Sequence, residues 1–252
     1  MQKGTKPVLI GMLTPSSNTV VEPFTSAMAW RLFPHVSVHF SRFRVTKIAL
    51  DAASDGQFAL EPILQAAGLL ADARLDLIAW NGTSASWLGF DTDRELCAKI
   101  AERTGIPATS AILSLNRLLD EMKIRRLGLV TPYTEDVQRK IIANYAAIGI
   151  EVVAERHSGR SDNFSFAEIR EEDIGAMCRE VAKTEPDAIA IVCTNMRGPL
   201  IAPDLERELG IPVLDSVAFT LWGCLTETGV DTQPLLPFGR MFSARRTPAL
   251  AS

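Results

Sequence analysis

An internal repeat constrains the fold of this chain more than any other feature of its sequence. Four short segments of the first half recur in the same order in the second half: residues 10–15 and 127–132, 36–40 and 150–154, 76–83 and 187–194, and 105–107 and 210–212. Each half therefore alternates apolar, strand-like runs with stretches of helical character. This alternation predicts right-handed βαβ crossovers and a parallel sheet in each half. We expect an α/β molecule of two lobes related by a pseudo-twofold axis, each lobe a parallel sheet flanked by helices.

The repeat also predicts how the chain divides and where a ligand binds. We expect residues 1–115 and 217–252 to form the first lobe and residues 116–216 the second, with the last segment returning to cover the first lobe. Ligands of parallel sheets bind beyond the carboxyl ends of the strands. The cleft between the lobes is therefore the predicted site, and matched strand ends bring four residues to it: Thr14, Gly82, Thr131 and Cys193.

Composition and charge exclude several classes of partner. The 252 residues carry a formal net charge of −4 with dispersed basic residues, so neither nucleic acid nor an anionic membrane is an expected partner. No run approaches the roughly 18 consecutive apolar residues of a membrane span. The N-terminal residues lack a secretory pattern, which makes the cytoplasm the expected location. Whether the chain acts as a monomer or a homodimer stays open.

The cysteines and histidines indicate neither a disulfide framework nor a metal site. The four cysteines lie far apart at positions 97, 178, 193 and 224 and form no CxxC pair, so reduced thiols are expected. The three histidines show no ligand spacing. Residues 14–18, after the first strand, are neither GxGxxG nor a Walker motif. The sequence therefore predicts a site without metal, nucleotide or other cofactor.

Cys193 is the strongest candidate for a catalytic side chain. It ends an apolar strand at the predicted cleft and is followed by an irregular loop, residues 194–199. A buried packing role is the alternative, and we expect it for the other three cysteines, which lie in helical patterns. Gly82 stands at the matching position of the first half. It permits a tight turn, and it also indicates free space for a substrate group and proton delivery from one side only.

Polar residues beside the strand ends are candidates for binding a carboxylate or an enediolate. Hydroxyl, amide and loop N–H groups next to helix N-termini are offered by Thr83, Ser84, Thr194 and Asn195. N-capping of the helices explains these residues equally well. Tyr133 follows a Thr-Pro pair at a matched strand end, where its phenol could donate to an oxyanion; the alternative is a half-buried loop aromatic.

Two asparagines and two arginines carry weaker signals. Asn18 lies in a Pro-Ser-Ser-Asn-Thr segment that also suits a turn and helix cap, and Asn163 also suits the start of a helix predicted over residues 167–178. Arg170 and Arg197 could bind a second carboxylate, although such arginines are more often exposed on the surface.

Several of these residues belong to segments that resemble the aspartate/glutamate racemase superfamily, specifically the branch of maleate cis–trans isomerases and arylmalonate decarboxylase. The similar segments are residues 12–19, 131–133, 163–167 and 193–195, and the resemblance extends over nearly the whole chain. In the isomerases, asparagines and a tyrosine hold the substrate carboxylates while two cysteines act on the double bond. The resemblance implies that Asn18, Tyr133 and Asn163 bind substrate and that Cys193 is the second catalytic cysteine.

The chain departs from the isomerase pattern at Gly82, where that family has its nucleophilic cysteine. Residues 82–87 and 238–242 resemble arylmalonate decarboxylase instead. In that enzyme a Gly-Thr-Ser loop and a tyrosine form a dioxyanion hole, and a single cysteine protonates the enediolate. Cys193 is followed here by Thr-Asn, however, where the decarboxylase has Gly-Gly. The sequence thus combines features of both activities.

The leading hypothesis is a decarboxylase, independent of cofactors, that acts on a substituted malonate or a similar small dicarboxylate. One carboxylate would be held by hydroxyl and N–H donors of Thr83, Ser84, Tyr133 and Thr194. The other would lie against apolar neighbours, for which Trp87, Met12 and Leu13 are candidates. Cys193, as a neutral thiol, would protonate one face of the planar intermediate. The predicted substrate-binding residues are Thr14, Asn18, Gly82, Asn163, Thr194 and Asn195.

Two alternatives stay open. One is an isomerase or racemase of a dicarboxylate or amino acid, in which Cys193 works with a partner other than cysteine. The other is a homologue that binds a small carboxylate without turning it over.

Overall fold

The computed structural model describes residues 6–44 and 60–244. Their strands form two separate sheets of four, and all pairs within each sheet are parallel. The first sheet contains Val8–Pro15 (β1), Val36–Phe43 (β2), Leu77–Trp80 (β3) and Ala108–Ser110 (β4), in the order β2-β1-β3-β4. The second contains Arg126–Thr131 (β5), Glu151–His157 (β6), Ala188–Ile191 (β7) and Val213–Asp215 (β8), in the order β6-β5-β7-β8. The identical strand order confirms the predicted α/β architecture.

Helices follow the strands in both halves of the described chain. The first half has Val21–Ala29 (α1), Leu60–Ala71 (α2), Ala85–Leu88 (α3), Asp91–Thr104 (α4) and Ala111–Glu121 (α5). The second has Glu135–Ala147 (α6), Asn163–Phe166 (α7), Glu171–Ala182 (α8), Ala202–Leu209 (α9) and Ser216–Glu227 (α10). Short 3₁₀ helices cover Trp30–Leu32, Gln233–Phe238 and Arg240–Ser243. Within residues 6–44 and 60–244, no helix combines the length and apolar character needed to cross a membrane.

The inner strands show why their sequences are nearly continuous apolar runs. Every residue of β3 and of β7 is buried, as expected for parallel strands that are covered on both faces. The outer strands β2 and β6 are partly exposed and carry polar residues among apolar ones. The loops that carry Gly82 and Cys193 begin directly after Trp80 and Ile191, at the carboxyl ends of β3 and β7.

Each half has an aspartate at the same position of the repeat, and its carboxylate links one inner strand to the next, β3 to β1 and β7 to β5. Asp76, just before β3, accepts a hydrogen bond from the N–H of Leu9 at 2.8 Å. Asp187, just before β7, accepts from the N–H groups of Arg125 and Arg126, both at 2.8 Å. These backbone hydrogen bonds hold the pKa of Asp187 below its usual range. The amino ends of the strands are thus fixed in the same way in both halves.

The last long helix packs against the first half of the chain. Helix α10 lies on α5 and also contacts α1, β3 and β4. The division of the chain at residues 115 and 216 stays a prediction, and both positions lie within or at the start of helices, α5 and α10.

One predicted helix has different bounds in the structure. The stretch expected over residues 167–178 is a helix over Glu171–Ala182, preceded by the separate four-residue helix α7. The carboxylate of Asp162 caps α7 by accepting from the N–H of Ser165 at 2.8 Å. The first turn of α8 then contains three acidic residues, whose negative charges interact favourably with the positive end of the helix dipole. Two helices, α7 and α8, therefore begin in this region, where the apolar pattern predicted one.

Two buried carboxyl groups lie beside the strand ends β4 and β8. Asp93 accepts a hydrogen bond from Ser110 Oγ at 2.5 Å, and burial raises its pKa to about 7 although hydrogen bonds from Ser110 and Trp80 oppose the shift. Asp215 caps α10 through the N–H groups of Val217 and Ala218. Burial raises its pKa to about 7 as well, against the same backbone hydrogen bonds. Both carboxyls therefore bind protons more tightly in the folded chain than in the unfolded one.

The stability of the protein is accordingly expected to fall as the pH rises from 5 to 7. In this interval the folded state keeps protons on Asp93 and Asp215 that the unfolded state has already released. Above about pH 7 the folded state has released them too, and this contribution to stability is then fully lost. Thermal unfolding of the wild type between pH 5 and 9 measures the effect. Asp93→Asn and Asp215→Asn should each flatten the curve, because an amide does not titrate. A wild-type Tm that rises from pH 5 to 7 would contradict the assignment.

Candidate active site

A small cavity lies at the carboxyl ends of the inner strands, with walls from both halves of the chain. Seven of its lining residues were predicted from sequence as site residues: Gly82, Thr83, Ser84, Tyr133, Asn163, Cys193 and Thr194. Pro15, Asn81 and Trp87 complete the wall among the described residues. The cavity has a volume of about 20 Å³, and about 10–15 Å³ is needed to hold one water molecule. Substrate can enter only if some of these side chains move.

Tyr133 and Thr83 are hydrogen-bonded to each other across the two halves. The phenol oxygen lies 2.6 Å from Thr83 Oγ1. The Tyr133 ring is 2% exposed and is held edge-on by Trp87 and by Phe166, with ring centroids 5.0 and 5.6 Å away. Burial raises the pKa of Tyr133 well above its usual value. The phenol therefore keeps its proton and can donate a hydrogen bond.

Cys193 faces this pair from the end of β7. Its N–H donates to Ser216 Oγ at 2.9 Å, and the same hydroxyl donates to the carbonyl of Ile191 at 2.6 Å. Burial raises the pKa of the thiol to about 12, although hydrogen bonds from the N–H of Asn195 and from Tyr133 oppose the shift. At neutral pH the side chain is consequently a neutral thiol, which can give a proton but is a poor nucleophile.

Backbone N–H groups complete the donor set. Within the described part of the chain, the N–H groups of Thr83, Ser84 and Thr194 have no hydrogen-bond partner. The hydroxyl of Thr194 is engaged and donates to the carbonyl of Asn81 at 2.9 Å. Since buried N–H groups are normally paired, three unpaired ones beside a cavity that is also lined by the hydroxyls of Thr83, Ser84 and Tyr133 suit a ligand with negatively charged oxygens.

Asn18 and Asn195 lie behind the cavity and hold the two halves together. Asn18 Oδ1 accepts from the N–H groups of Val20 and Val21 at the start of α1, and its Nδ2 donates to the carbonyl of Thr194 at 3.1 Å. Asn195 accepts from the N–H of Thr19 at 3.0 Å and donates to the carbonyl of Asn163 at 2.5 Å. Both amides are thus used within the protein, as the capping alternative anticipated for Asn18. Their roles in substrate binding stay predictions.

Asn163 lines the cavity and donates to Ser17 Oγ at 2.8 Å. Thr14 is fully buried and does not line the cavity. Of the three apolar neighbours expected for the second carboxylate, Trp87 lines the cavity, whereas Met12 and Leu13 are fully buried outside its wall.

The free space expected beside Gly82 is occupied, and that part of the prediction is wrong. A Cβ atom on Gly82 would lie 2.6 Å from Nε1 of Trp80 and still closer to two carbons of the same ring. The indole therefore fills the volume into which a side chain at position 82 would extend. Sequence reasoning missed Trp80 because an aromatic residue in an apolar strand looks like ordinary core.

Ser216 is a second residue that the sequence analysis missed. It follows β8 and positions Cys193 through the two hydrogen bonds described above, yet a serine at the start of a helix is indistinguishable from a cap in the sequence. Arg170 pairs with Asp173 at the surface, and Arg197 is exposed. Cys97, Cys178 and Cys224 are buried within helices, as expected for packing residues.

The comparisons with known proteins agree with this architecture. A sequence model described as arylmalonate decarboxylase matches residues 10–242. The arylmalonate decarboxylase of Bordetella bronchiseptica is 24% identical over an alignment that covers 96% of this chain and 99% of that protein. A maleate isomerase of Nocardia farcinica is 28% identical over 82% of this chain and 84% of its own length.

Solved structures share the fold. One is a cysteine-to-serine mutant of the Nocardia farcinica maleate cis–trans isomerase with a covalently bound succinylcysteine intermediate. It superposes with a TM-score of 0.83 at 24% sequence identity and covers 93% of this chain and 98% of its own.

Proposed function

Because this chain belongs to the arylmalonate decarboxylase family, we propose that it decarboxylates a substituted malonate and that Cys193 supplies the proton which replaces the lost carboxylate. Membership confirms the predicted branch of the aspartate/glutamate racemase superfamily. It makes the chain an enzyme of the kind that includes arylmalonate decarboxylase and maleate isomerase, so the hypothesis of binding without turnover is set aside.

The observation that carries the proposal is a single thiol on one side of the cavity. Cys193 is the only cysteine among the described lining residues, and its pKa of about 12 keeps it protonated at neutral pH. Decarboxylation with protonation needs one proton donor. Covalent addition to a double bond needs a thiolate nucleophile, and the position where the isomerase family has that cysteine is Gly82.

The donors around Thr83 and Tyr133 suit the carboxylate that remains. As carbon dioxide leaves, the electron pair of the broken carbon–carbon bond moves into this carboxylate and forms an enediolate with added charge on its oxygens. Fixed O–H and N–H donors that face the position of those oxygens stabilise the transition state more than the ground state. The hydroxyls of Thr83 and Tyr133 lie 2.6 Å apart, close enough to share one oxygen of the substrate.

The thiol then completes the reaction. Cys193 transfers its proton to the α-carbon of the enediolate, and the resulting thiolate recovers a proton from water. The N–H of Asn195, 3.4 Å from Sγ, stabilises the transient negative charge on sulfur. One donor on one face predicts a single enantiomer of product.

Isomerisation of maleate is the second candidate, and the higher identity to the Nocardia farcinica enzyme favours it. Proton NMR in deuterium oxide separates the two activities when the protein is incubated with 2-methyl-2-phenylmalonate, maleate, aspartate and glutamate. We expect the malonate to lose carbon dioxide and to gain one deuterium, with one enantiomer formed, while a protein-free sample shows the uncatalysed rate.

Either of two results would contradict the proposal. Formation of fumarate from maleate without turnover of any malonate would assign the isomerase activity. Exchange of the α-proton of an amino acid without loss of carbon dioxide would assign a racemase.

A further inference from the structure

The indole of Trp80 occupies the place opposite Cys193. Gly82 and Cys193 are matched positions of the repeat, and so are Trp80 and Ile191, the last residues of β3 and β7. Strand β7 ends in Ile191, and the residue two positions later is Cys193. Strand β3 ends in the larger Trp80, and even a Cβ atom on Gly82, two positions later, would overlap the indole ring. In the first half a large strand residue, Trp80, is thus combined with glycine at the site position, and in the second half a smaller strand residue, Ile191, is combined with cysteine there.

The ring of Trp80 is held firmly in this place. It is 1% exposed and packs against Phe43, with ring centroids 4.8 Å apart. The ring also lowers the pKa of the nearby buried carboxyl of Asp93, which accepts a hydrogen bond from Ser110 Oγ at 2.5 Å. A buried ring packed in this way cannot move aside without breaking buried contacts.

Trp80 also lies in the wall of a second cavity. The site cavity of about 20 Å³ contains Gly82 in its wall. The second cavity, of about 300 Å³, is lined by Trp80 together with apolar side chains such as Leu60 and charged ones such as Lys99. Ser84 lines both cavities. The indole of Trp80 thus adjoins both Gly82 and a second cavity of mixed apolar and charged character.

We propose that Trp80 is a specificity-determining residue that closes the site on the face opposite Cys193. It restricts protonation to the Cys193 face by excluding a side-chain acid at position 82. The role of Trp80 in protonation rests on the proposed function, whereas its packing against Gly82 does not.

Stability measurements on Gly82→Cys, Trp80→Leu and the double variant test the packing. Gly82→Cys should lower Tm by at least about 5 °C, because the added side chain overlaps the indole. In the double variant the decrease should be clearly smaller than the sum of the two single decreases, since a smaller residue at position 80 makes room for the thiol. Gly68→Cys is the matched control, because a Cβ there meets nothing within 4 Å, and its Tm should stay within about 2 °C of the wild type.

Stereochemical measurements test the consequence for the reaction. Gly82→Cys and Trp80→Leu should each still give one enantiomer. The double variant should racemise the product, with α-proton exchange about a hundredfold faster than in the wild type. In that exchange one thiolate removes the α-proton while the thiol on the opposite face donates another, so the two sulfurs swap protonation states without net change.

A normal Tm in Gly82→Cys, additive Tm decreases in the double variant, or racemisation by Gly82→Cys without a change at Trp80 would each overturn the inference. Failure of the wild type to release carbon dioxide from any malonate would instead overturn the proposed function. The Tm comparison still decides whether Trp80 fills the place beside Gly82 in that case, so the two failures are distinguishable.

Discussion

Replacing Cys193 with alanine is expected to lower kcat for decarboxylation by about a thousandfold, since a positioned proton donor contributes about 10²–10⁴-fold to a rate. KM should change little, because the thiol interacts with the α-carbon only after carbon dioxide has begun to leave. The neutral state of this thiol, with its pKa of about 12, is what makes it a donor. Carbon dioxide release from the malonate that the wild type turns over fastest measures the effect.

Cys178→Ala is the matched control. Cys178 is also a buried thiol, with its pKa raised by burial to about 12, but it lies in α8 and does not line the cavity. This variant should keep wild-type kcat even if it loses some stability. A Cys193→Ala enzyme within tenfold of wild-type kcat, with an unchanged melting curve, would rule out the thiol as the proton donor.

Replacing Tyr133 with phenylalanine is expected to lower kcat/KM by about 10²–10³-fold, the usual effect of removing one donor to a developing oxyanion. The substitution keeps the ring between Trp87 and Phe166 and removes the O–H that lies 2.6 Å from Thr83 Oγ1. The effect should be largest on kcat, since the added charge exists only in the transition state.

The second tyrosine provides a control of the same chemistry. Tyr145 is fully buried, and its hydroxyl has no hydrogen-bond partner among the described residues. Tyr145→Phe should therefore leave kcat/KM unchanged and leave stability unchanged or slightly higher. Equal losses of activity in the two variants would indicate a general disturbance of packing and would contradict a specific role for the Tyr133 phenol.

The sequence contained enough information to predict the fold and to assign the candidate site residues to one cleft. Apolar runs of strand length and the helices between them are local properties, and the fixed hand of βαβ crossovers leaves few ways to arrange them. Because ligands of parallel sheets bind beyond the carboxyl ends of the strands and the two sheets are repeats of each other, the residues after Trp80 and Ile191 could be assigned to one cleft. Seven of the predicted residues indeed line one cavity.

The volume and protonation of the site could not be predicted in this way. Asn18 forms a hydrogen bond with Thr194, 176 positions away in the sequence, and Cys193 is held by Ser216, the first residue of helix α10. The ring of Trp80 fills the place beside Gly82, which in the sequence looks like free space. The pKa of each buried group depends on which neighbours remove water from it.

The amino-acid sequence by itself determined the two parallel sheets and the strand ends that carry the candidate site residues, since these follow from periodicity and chain direction. Only the tertiary structure decided which side chains line the cavity, which polar groups form hydrogen bonds between the two halves, and which donors are left to bind a substrate. Packing and desolvation depend on residues that are distant in the chain, and a local pattern does not specify which of them meet.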